Sequence, residues 1–478
     1  MSDDLRTQLG RLVRELLEEA QEQSGEPITP RLRDHLGEGA RALPVLTEGL
    51  DDWELPNLQL GLDAATARPG WSADVIGLTG RAKRYEQFSL SDLMTDDRWL
   101  PTVGPPELVN APVGPGRTLA CLEFGILLVA SPDGPIAVFV RRGEDHGPMM
   151  PARLAIQAVA PGDGVAAAFL ADLRRLMHEH DVYRGQVLTL KADPHSGGRE
   201  LIFLERPRLA AEELVLPDGV LDKVERHVLG PTRHRAALLA GRRHLSRGLL
   251  LWGPPGTGKT LTVRYLTGVL EDATVVILSG GTLGFVGAFA ALAKRLAPSL
   301  VVLEDVDLVA QERTFGPFGS SPVLFELMNE MDGLGEDADV AWVLTTNRAD
   351  ALEPALAARP GRIDLAVELP LPDADGRRRL VALYARGLDL KLVDEQAVVD
   401  RTAGVPASFI KELLRKAALA AAEAGRTTVT DEDLARVLDE LLADTSALTR
   451  VLLGAAEPGA SAAPDPHGWM GVGQITIE

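Results

Sequence analysis

The sequence predicts an α/β fold: a parallel sheet sandwiched by helices, with a small helical unit after it and a mixed α+β region before it. Three observations carry that expectation. Residues 247–270, RGLLLWGPPGTGKTLTVRYLTGVL, read as a strand, a glycine-rich loop and a helix. Residues 300–307, LVVLEDVD, are a short apolar run that stops abruptly at Glu304 and Asp305. Residues 340–347, VAWVLTTN, form a second such run and end in Asn347. Continuous apolar runs of this length suit strands buried on both faces, as parallel strands are. Buried strands that deliver carboxylates to an edge need something there to hold, usually a metal or a water.

Composition bounds the alternatives. The 478 residues are 45% hydrophobic and 25% charged, an ordinary globular balance, and the length suggests roughly three domains of about 150 residues. The formal net charge of -20, from 69 acids against 49 lysines and arginines, argues against nucleic acid as the main partner. The single cysteine, Cys121, cannot close an internal disulfide and points to a reducing, cytoplasmic setting. It lies in an apolar stretch, where a core thiol outweighs a nucleophile. The N-terminus, MSDDLRTQLGRLVRELL, is too charged for a secretory leader. No apolar run approaches the roughly 18 residues of a membrane span, so no membrane is expected as a partner.

In chain order, residues 1–25 hold an amphipathic helix, with Leu5, Leu9, Leu12, Val13, Leu16 and Leu17 at helical spacing. It covers its own domain or pairs with a partner helix. Residues 26–212 read as an α+β recognition or adaptor region. Within it, 26–70 give no clear element and 101–116 read as a loop. The runs 118–131 and 135–142 flank a hairpin turn at Pro132-Asp133-Gly134. A strand near 152–160, a helix over 165–180, and two strands around DPHSGG follow. His178 and His180 flank Glu179, but two positions apart on a helix they face different ways, so a surface reading is preferred to metal. The mixed basic and aromatic run at 80–88 reads as a solvated face.

From 213 the chemistry becomes specific. Two helical segments precede the glycine-rich loop, and the basic cluster Arg233, Arg235, Arg242, Arg243 and Arg247 is expected as surface ion-pair partners, with one or two facing a neighbouring subunit. Gly253, Pro254, Pro255, Gly256, Thr257, Gly258, Lys259 and Thr260 fit GxxxxGK[ST] between a strand and a helix, the context a P-loop requires. The glycines turn backbone N–H groups onto phosphates, and the helix start at Leu261 adds its dipole. Lys259 would reach the β- and γ-phosphates of ATP, and Thr260 would hold Mg²⁺. Residues 371–445 are helical, with a capping box at Thr430-Asp431-Glu432-Asp433. Residues 446–478 read as a flexible tail in which Trp469 and Met470 offer a docking point.

On these motifs, residues 213–445 resemble the ATPase module of the AAA family, with a large subdomain over 213–370 and a helical lid over 371–445. The resemblance implies roles. Asn347 matches the sensor that orients the attacking water. Arg359 and Arg362 match fingers reaching the ATP of an adjacent subunit, and residues 331–334 match a segment relaying nucleotide state. The family's usual Asp-Glu pair is inverted here, which puts Glu304 on the metal side and Asp305 on the water side. Glu is one methylene longer, about 1.5 Å of reach. The same order occurs in the AAA chaperones of the mitochondrial Rieske protein, which implies activity rather than a hydrolysis-dead site. Phe285 and Val286, between Gly284 and Gly287, match a substrate-gripping pore loop; a buried Phe at a helix start is the competing reading. Phe315 and Phe318 match a second pore loop. The lid loop AGVPASF keeps Gly404 but departs from the family pattern.

The expected function is that of a hexameric ring of identical chains coupling ATP hydrolysis to protein remodelling, unfolding or translocation, with a protein or peptide substrate. The alternatives are an ATP-gated assembly scaffold with weak hydrolysis, and a nucleic-acid motor. Because the sequence ends Thr476-Ile477-Glu478, without a penultimate tyrosine, a proteasome partner is not expected.

Overall fold

The computed structural model describes residues 26–79, 89–95, 101–143, 154–192, 199–307, 326–327, 329–331, 338–348 and 363–443. Expectations on 1–25, 80–88, Phe315, Phe318, 332–334, Arg359, Arg362 and the tail fall outside those residues.

The N-terminal region is built on an antiparallel sheet of β1 (Leu46–Leu50), β2 (Ser72–Thr79), β3 (Thr102–Gly104), β4 (Glu107–Gly114), β5 (Arg117–Ser131), β6 (Gly134–Arg142) and β7 (Leu154–Val159). Their order is β1-β7-β6-β5-β2-β3, with β4 paired to β5. The predicted turn joins β5 to β6, Ser131 lying opposite Gly134. Alternate residues face opposite ways. Leu127, Val129, Ile136, Val138 and Val140 pack under helices α2 (Leu55–Thr66) and α3 (Val165–Glu179). Ile126, Leu128, Ala137 and Phe139 pack against α1 (Ile28–Leu36). With both faces covered, Cys121 is fully buried on β5, and burial pushes its thiol up to about 11. It is a core residue. His178 and His180 are exposed at the end of α3.

Two expectations are corrected here. Residues 107–114 form a strand rather than a loop; β4 lies off the main run and pairs with β5, and such a strand accommodates Pro112, which lacks an N–H. The hairpin of β8 (Val187–Ala192) and β9 (Arg199–Leu204), assigned by sequence to the N-terminal region, joins the second sheet: β8 pairs in parallel with β11 (Thr274–Ser279).

That second sheet also contains β10 (Arg247–Trp252), β12 (Ser299–Glu304), β13 (Val340–Thr346) and β14 (Leu365–Glu368), in the order β14-β10-β13-β12-β11-β8-β9. Among the described residues every pairing in this sheet except the β8–β9 hairpin is parallel. Helices α4 (Val220–Arg233) and α6 (Lys259–Val269), separated by α5 (Arg235–Ala240), cover one face through Val224, Val228, Val263 and Leu266. Helix α7 (Val286–Arg295) covers the other through Phe289 and Leu292.

Arg247 departs from the expected surface role. It is buried and donates to the Val228 and Leu245 carbonyls, to Thr232 and, at 2.6 Å, to Asp339. It therefore ties α4 to the start of β10 and to the segment before β13. Arg233, Arg235, Arg242 and Arg243 are exposed.

The C-terminal unit has α8 (Ala374–Tyr384), α9 (Glu395–Arg401), α10 (Ala407–Glu423) and α11 (Asp431–Ala443), with a small parallel pair of β15 (Asp389–Lys391) and β16 (Thr428–Thr430). Its own core centres on Phe409, Ile410, Leu413 and Leu438. At the start of α11 the Asp433 carboxylate accepts from the Thr430 N–H and from both Arg426 nitrogens. No helix among the described residues is long and apolar enough to cross a membrane.

Candidate active site

Parallel strands point their carboxyl ends to one edge, and ligands of open α/β sheets bind there. The predicted site residues of β10, β12 and β13 all arrive at that edge.

The loop after β10 is shaped by its glycines. Gly253 and Gly256 have φ of 147° and 76°, values L side chains rarely adopt. A Cβ at Gly253 would run into the Leu369 carbonyl, and one at Gly256 into the Ser408 hydroxyl. Gly258 is the N-cap of α6. Thr257 closes the loop by donating to the Pro254 carbonyl at 2.9 Å, while Pro255 is exposed. Leu261, in the first turn of α6, packs against the core beneath. Lys259 is 6% exposed and donates to the Gly253 and Pro254 carbonyls, both at 2.8 Å. Burial pulls its ammonium below the usual lysine range, and the charges of Asp305 and Asp307 oppose that pull. The helical unit touches this loop directly, since the Ser408 N–H donates to the Gly256 carbonyl at 3.3 Å.

The two acids at the end of β12 have different partners. Glu304 accepts a hydrogen bond from Thr260; burial, followed by the charge of Asp305, raises its carboxyl above the usual range despite that bond. Asp305 has φ of 51°, a left-handed backbone that turns its side chain away from the strand direction. Its N–H donates to the Thr345 hydroxyl at 3.0 Å, and its carboxylate accepts from the Asn347 amide at 3.4 Å. The structure thus brings Lys259, Thr260, Glu304, Asp305 and Asn347 to one edge, with Glu304 against Thr260 and Asp305 against Asn347. An open groove of about 1350 Å³, lined by Thr260, Glu304, Ser279, Arg206 and Arg264 among others, lies in front of the first pair.

Sequence reasoning missed Asp307. It is buried, and its carboxylate accepts from the Thr346 hydroxyl at 2.9 Å and the Asn347 N–H at 3.3 Å. The available signal was a third acid, two positions beyond the pair, at the end of a buried strand.

Comparison with known proteins decides the family. The family model described as "ATPase family associated with various cellular activities (AAA)" matches residues 249–371. A proteasome-activating nucleotidase of Thermococcus gammatolerans is 31% identical over 280 residues, which is 56% of this chain and 70% of that protein. Its counterpart in Pyrococcus horikoshii is 32% identical over 270 residues, 54% of this chain and 67% of that one. The chain belongs to the AAA ATPase family. It is also similar to the ATP-dependent zinc metalloprotease FtsH 1 of Sphaerobacter thermophilus, 35% identical over 224 residues that make up 44% of this chain and 34% of that protein.

As an AAA ATPase the chain binds and hydrolyses ATP. Its oxygen donors suit magnesium, which takes few protein ligands and completes its shell with phosphates and waters. Thr260 and Glu304 supply such a pair.

Val286 is corrected. It is 1% exposed at the start of α7 and packs in one core with Leu283, Phe289 and Ala290. Helical spacing turns that face inward, so Val286 is a core residue and presents no side chain to a substrate. Phe285, at the N-cap of α7, is half-buried against the same core.

Proposed function

We propose that this AAA ATPase assembles as a ring, a hexamer of identical chains, and couples ATP hydrolysis to remodelling, unfolding or translocating polypeptides. The pairing of Glu304 with Thr260 and of Asp305 with Asn347 at one strand edge carries the enzymatic part of this reading. Lys259 leaves its loop carbonyls for the β- and γ-phosphates of ATP, whose negative charge is a stronger acceptor. Thr260 and Glu304 would hold Mg²⁺, which when bound would supply positive charge against the phosphates. Asp305, steadied by the Asn347 amide, takes the proton of the attacking water as oxygen bonds to the γ-phosphorus and the bond to the bridging oxygen of ADP breaks. Arg359 and Arg362 of an adjacent subunit stabilise the charge that develops.

The polypeptide substrate rests on other support. The named relatives are a proteasome activator and an ATP-dependent protease, and a net charge of -20 disfavours a phosphate backbone. Phe285 is the proposed substrate contact, and the antiparallel sheet of 46–159 the recognition module. The test combines light scattering with ATP-dependent unfolding of a fluorescent protein bearing an unstructured tail. A hexamer mass and ATP-dependent loss of fluorescence are expected. ATPase stimulation by DNA, weakening steeply with salt and without any unfolding, would instead favour a nucleic-acid motor.

A further inference from the structure

The β12–β13 ladder ends at Leu303 opposite Leu344. Beyond it Asp305 turns left-handed, and the regular ladder gives way to one further backbone bond and a set of side-chain clamps. The Val306 N–H donates to the Thr345 carbonyl, and the Asp305 N–H to the Thr345 hydroxyl, both at 3.0 Å. The last clamp is Asp307. One carboxylate oxygen accepts from the Thr346 hydroxyl at 2.9 Å and from the Asn347 N–H at 3.3 Å. The Thr346 hydroxyl has one proton to give. The Arg348 carbonyl at 3.2 Å competes for it, but the carboxylate is nearer and charged, and so the better acceptor. The Arg348 N–H then donates back to the same hydroxyl at 3.0 Å. Asp307 therefore fixes the backbone on both sides of Asn347, the residue whose amide meets Asp305.

A carboxylate only 5% exposed is an expensive way to join two strands. An apolar side chain there would spare the desolvation of a charge, but it would leave the Thr346 hydroxyl and the Asn347 N–H without this acceptor. We propose that Asp307 is a positioning residue for hydrolysis: it holds Asn347 in register with Asp305 and touches neither nucleotide nor water. The proposal rests on the reading of Asp305 and Asn347 as the water-side pair. Its consequence is a split between chemistry and binding: Lys259 and Thr257 bond within the phosphate loop, whereas Asp307 bonds Thr346 and Asn347.

The experiment compares Asp307→Ala, Asp307→Asn, Asn347→Ala and the double variant Asp307→Ala/Asn347→Ala in the full chain. Steady-state kcat and KM, ATP affinity by calorimetry and a thermal melt are read for each. Displacements of about 1 Å in supporting groups cost up to ~10²-fold in rate. Asp307→Ala should therefore lower kcat about tenfold to a hundredfold, with ATP affinity within about twofold. Asp307→Asn keeps an acceptor oxygen for both donors and should recover most of the rate. In the double variant the losses should not multiply, because Asp307 acts only through Asn347. Multiplying losses, or a full kcat in Asp307→Ala, overturn the proposal. Should Asn347→Ala itself turn over normally, the underlying site reading fails instead, whatever Asp307 does. If Asp307→Ala melts too early to assay, Thr346→Val removes one donor at nearly constant volume and decides by the same split: a lowered kcat with unchanged affinity supports the clamp, and an unchanged kcat rejects it.

Discussion

Among the described residues the chain carries two seven-stranded sheets, and only one of them collects chemistry. Both are covered by helices on two faces, and both bury mostly Val, Leu, Ile and Ala. They differ in strand direction. In the antiparallel sheet, successive strands end at opposite edges, so the polar residues that terminate them are divided between two places. In the other sheet every strand except β9 runs the same way and ends at the same edge. There the chain can set a phosphate loop, two acids and an asparagine side by side from segments nearly a hundred residues apart in sequence. The site follows from topology as much as from residue identity.

The strongest way to break this comparison is at the edge itself. Asp305→Asn keeps the left-handed backbone, which asparagine tolerates, and loses only the ability to take a proton. General-base loss is typically worth about 10²–10⁴ in rate, so single-turnover hydrolysis should fall by that order while ATP still binds. Glu304→Gln should chiefly weaken the magnesium dependence of binding. If Glu304→Gln abolishes hydrolysis at saturating magnesium and Asp305→Asn does not, the two roles are reversed.

A smaller effect is expected where the sheets meet. Arg295, at the end of α7, pairs with Glu54 at 2.7 Å and Asp181 at 3.2 Å. Asn57 donates to Glu54 and accepts from the Val182 N–H, while Trp53 lies against Phe289 with ring centroids 6.0 Å apart. Burial raises the Asp181 carboxyl above the usual range. Arg295→Ala strands two buried acids, a change worth about 3–5 kcal/mol when a buried pair is broken. An earlier melt is expected, with partial recovery in Arg295→Lys. Cys121 sharpens the result: its buried thiol should stay unreactive to thiol reagents in Arg295→Ala, since its own core does not include the junction. Rapid labelling would show that the antiparallel sheet depends on its neighbour.

The same contrast explains what the sequence made legible. The strands 247–252, 299–304 and 340–346 are continuous apolar runs with a glycine loop between helix and strand signals, so the parallel sheet could be traced directly. Strand β4 could not, because Asn110, Pro112 and Gly114 are poor strand residues that a strand off the main run tolerates. The 187–204 hairpin was recognised as a hairpin, but its partner, β11, lies some ninety residues on, and no local pattern encodes that. Arg247 looked like its exposed basic neighbours until Asp339, 92 residues away, fixed it inside. Within the site, the loop and both acids were readable from motif spacing. Asp307 was not, since what matters about it is which backbone groups it accepts from.

The smallest effect on turnover belongs to Phe285, and it decides what the ATPase acts upon. The residue is half-buried between the turn Gly280–Phe285 and α7, and it packs against the core of the parallel sheet. Fully burying a phenylalanine is worth about 1.5–3 kcal/mol; half that burial puts the stability loss of Phe285→Ala near 1 kcal/mol. Basal hydrolysis should remain within about twofold, because the ring packs against the core beneath α7 rather than against Lys259, Glu304 or Asp305. If the Phe285 ring grips extended polypeptide, an apolar contact indifferent to sequence, then tail-dependent unfolding and its stimulation of the ATPase should both fall sharply. Phe285→Tyr, which keeps the ring, should retain them. A Phe285→Ala chain that melts several degrees early and loses basal and stimulated activity together would mark the residue as core, like Val286 beside it, and would move the search for the substrate contact elsewhere on the parallel sheet's edge.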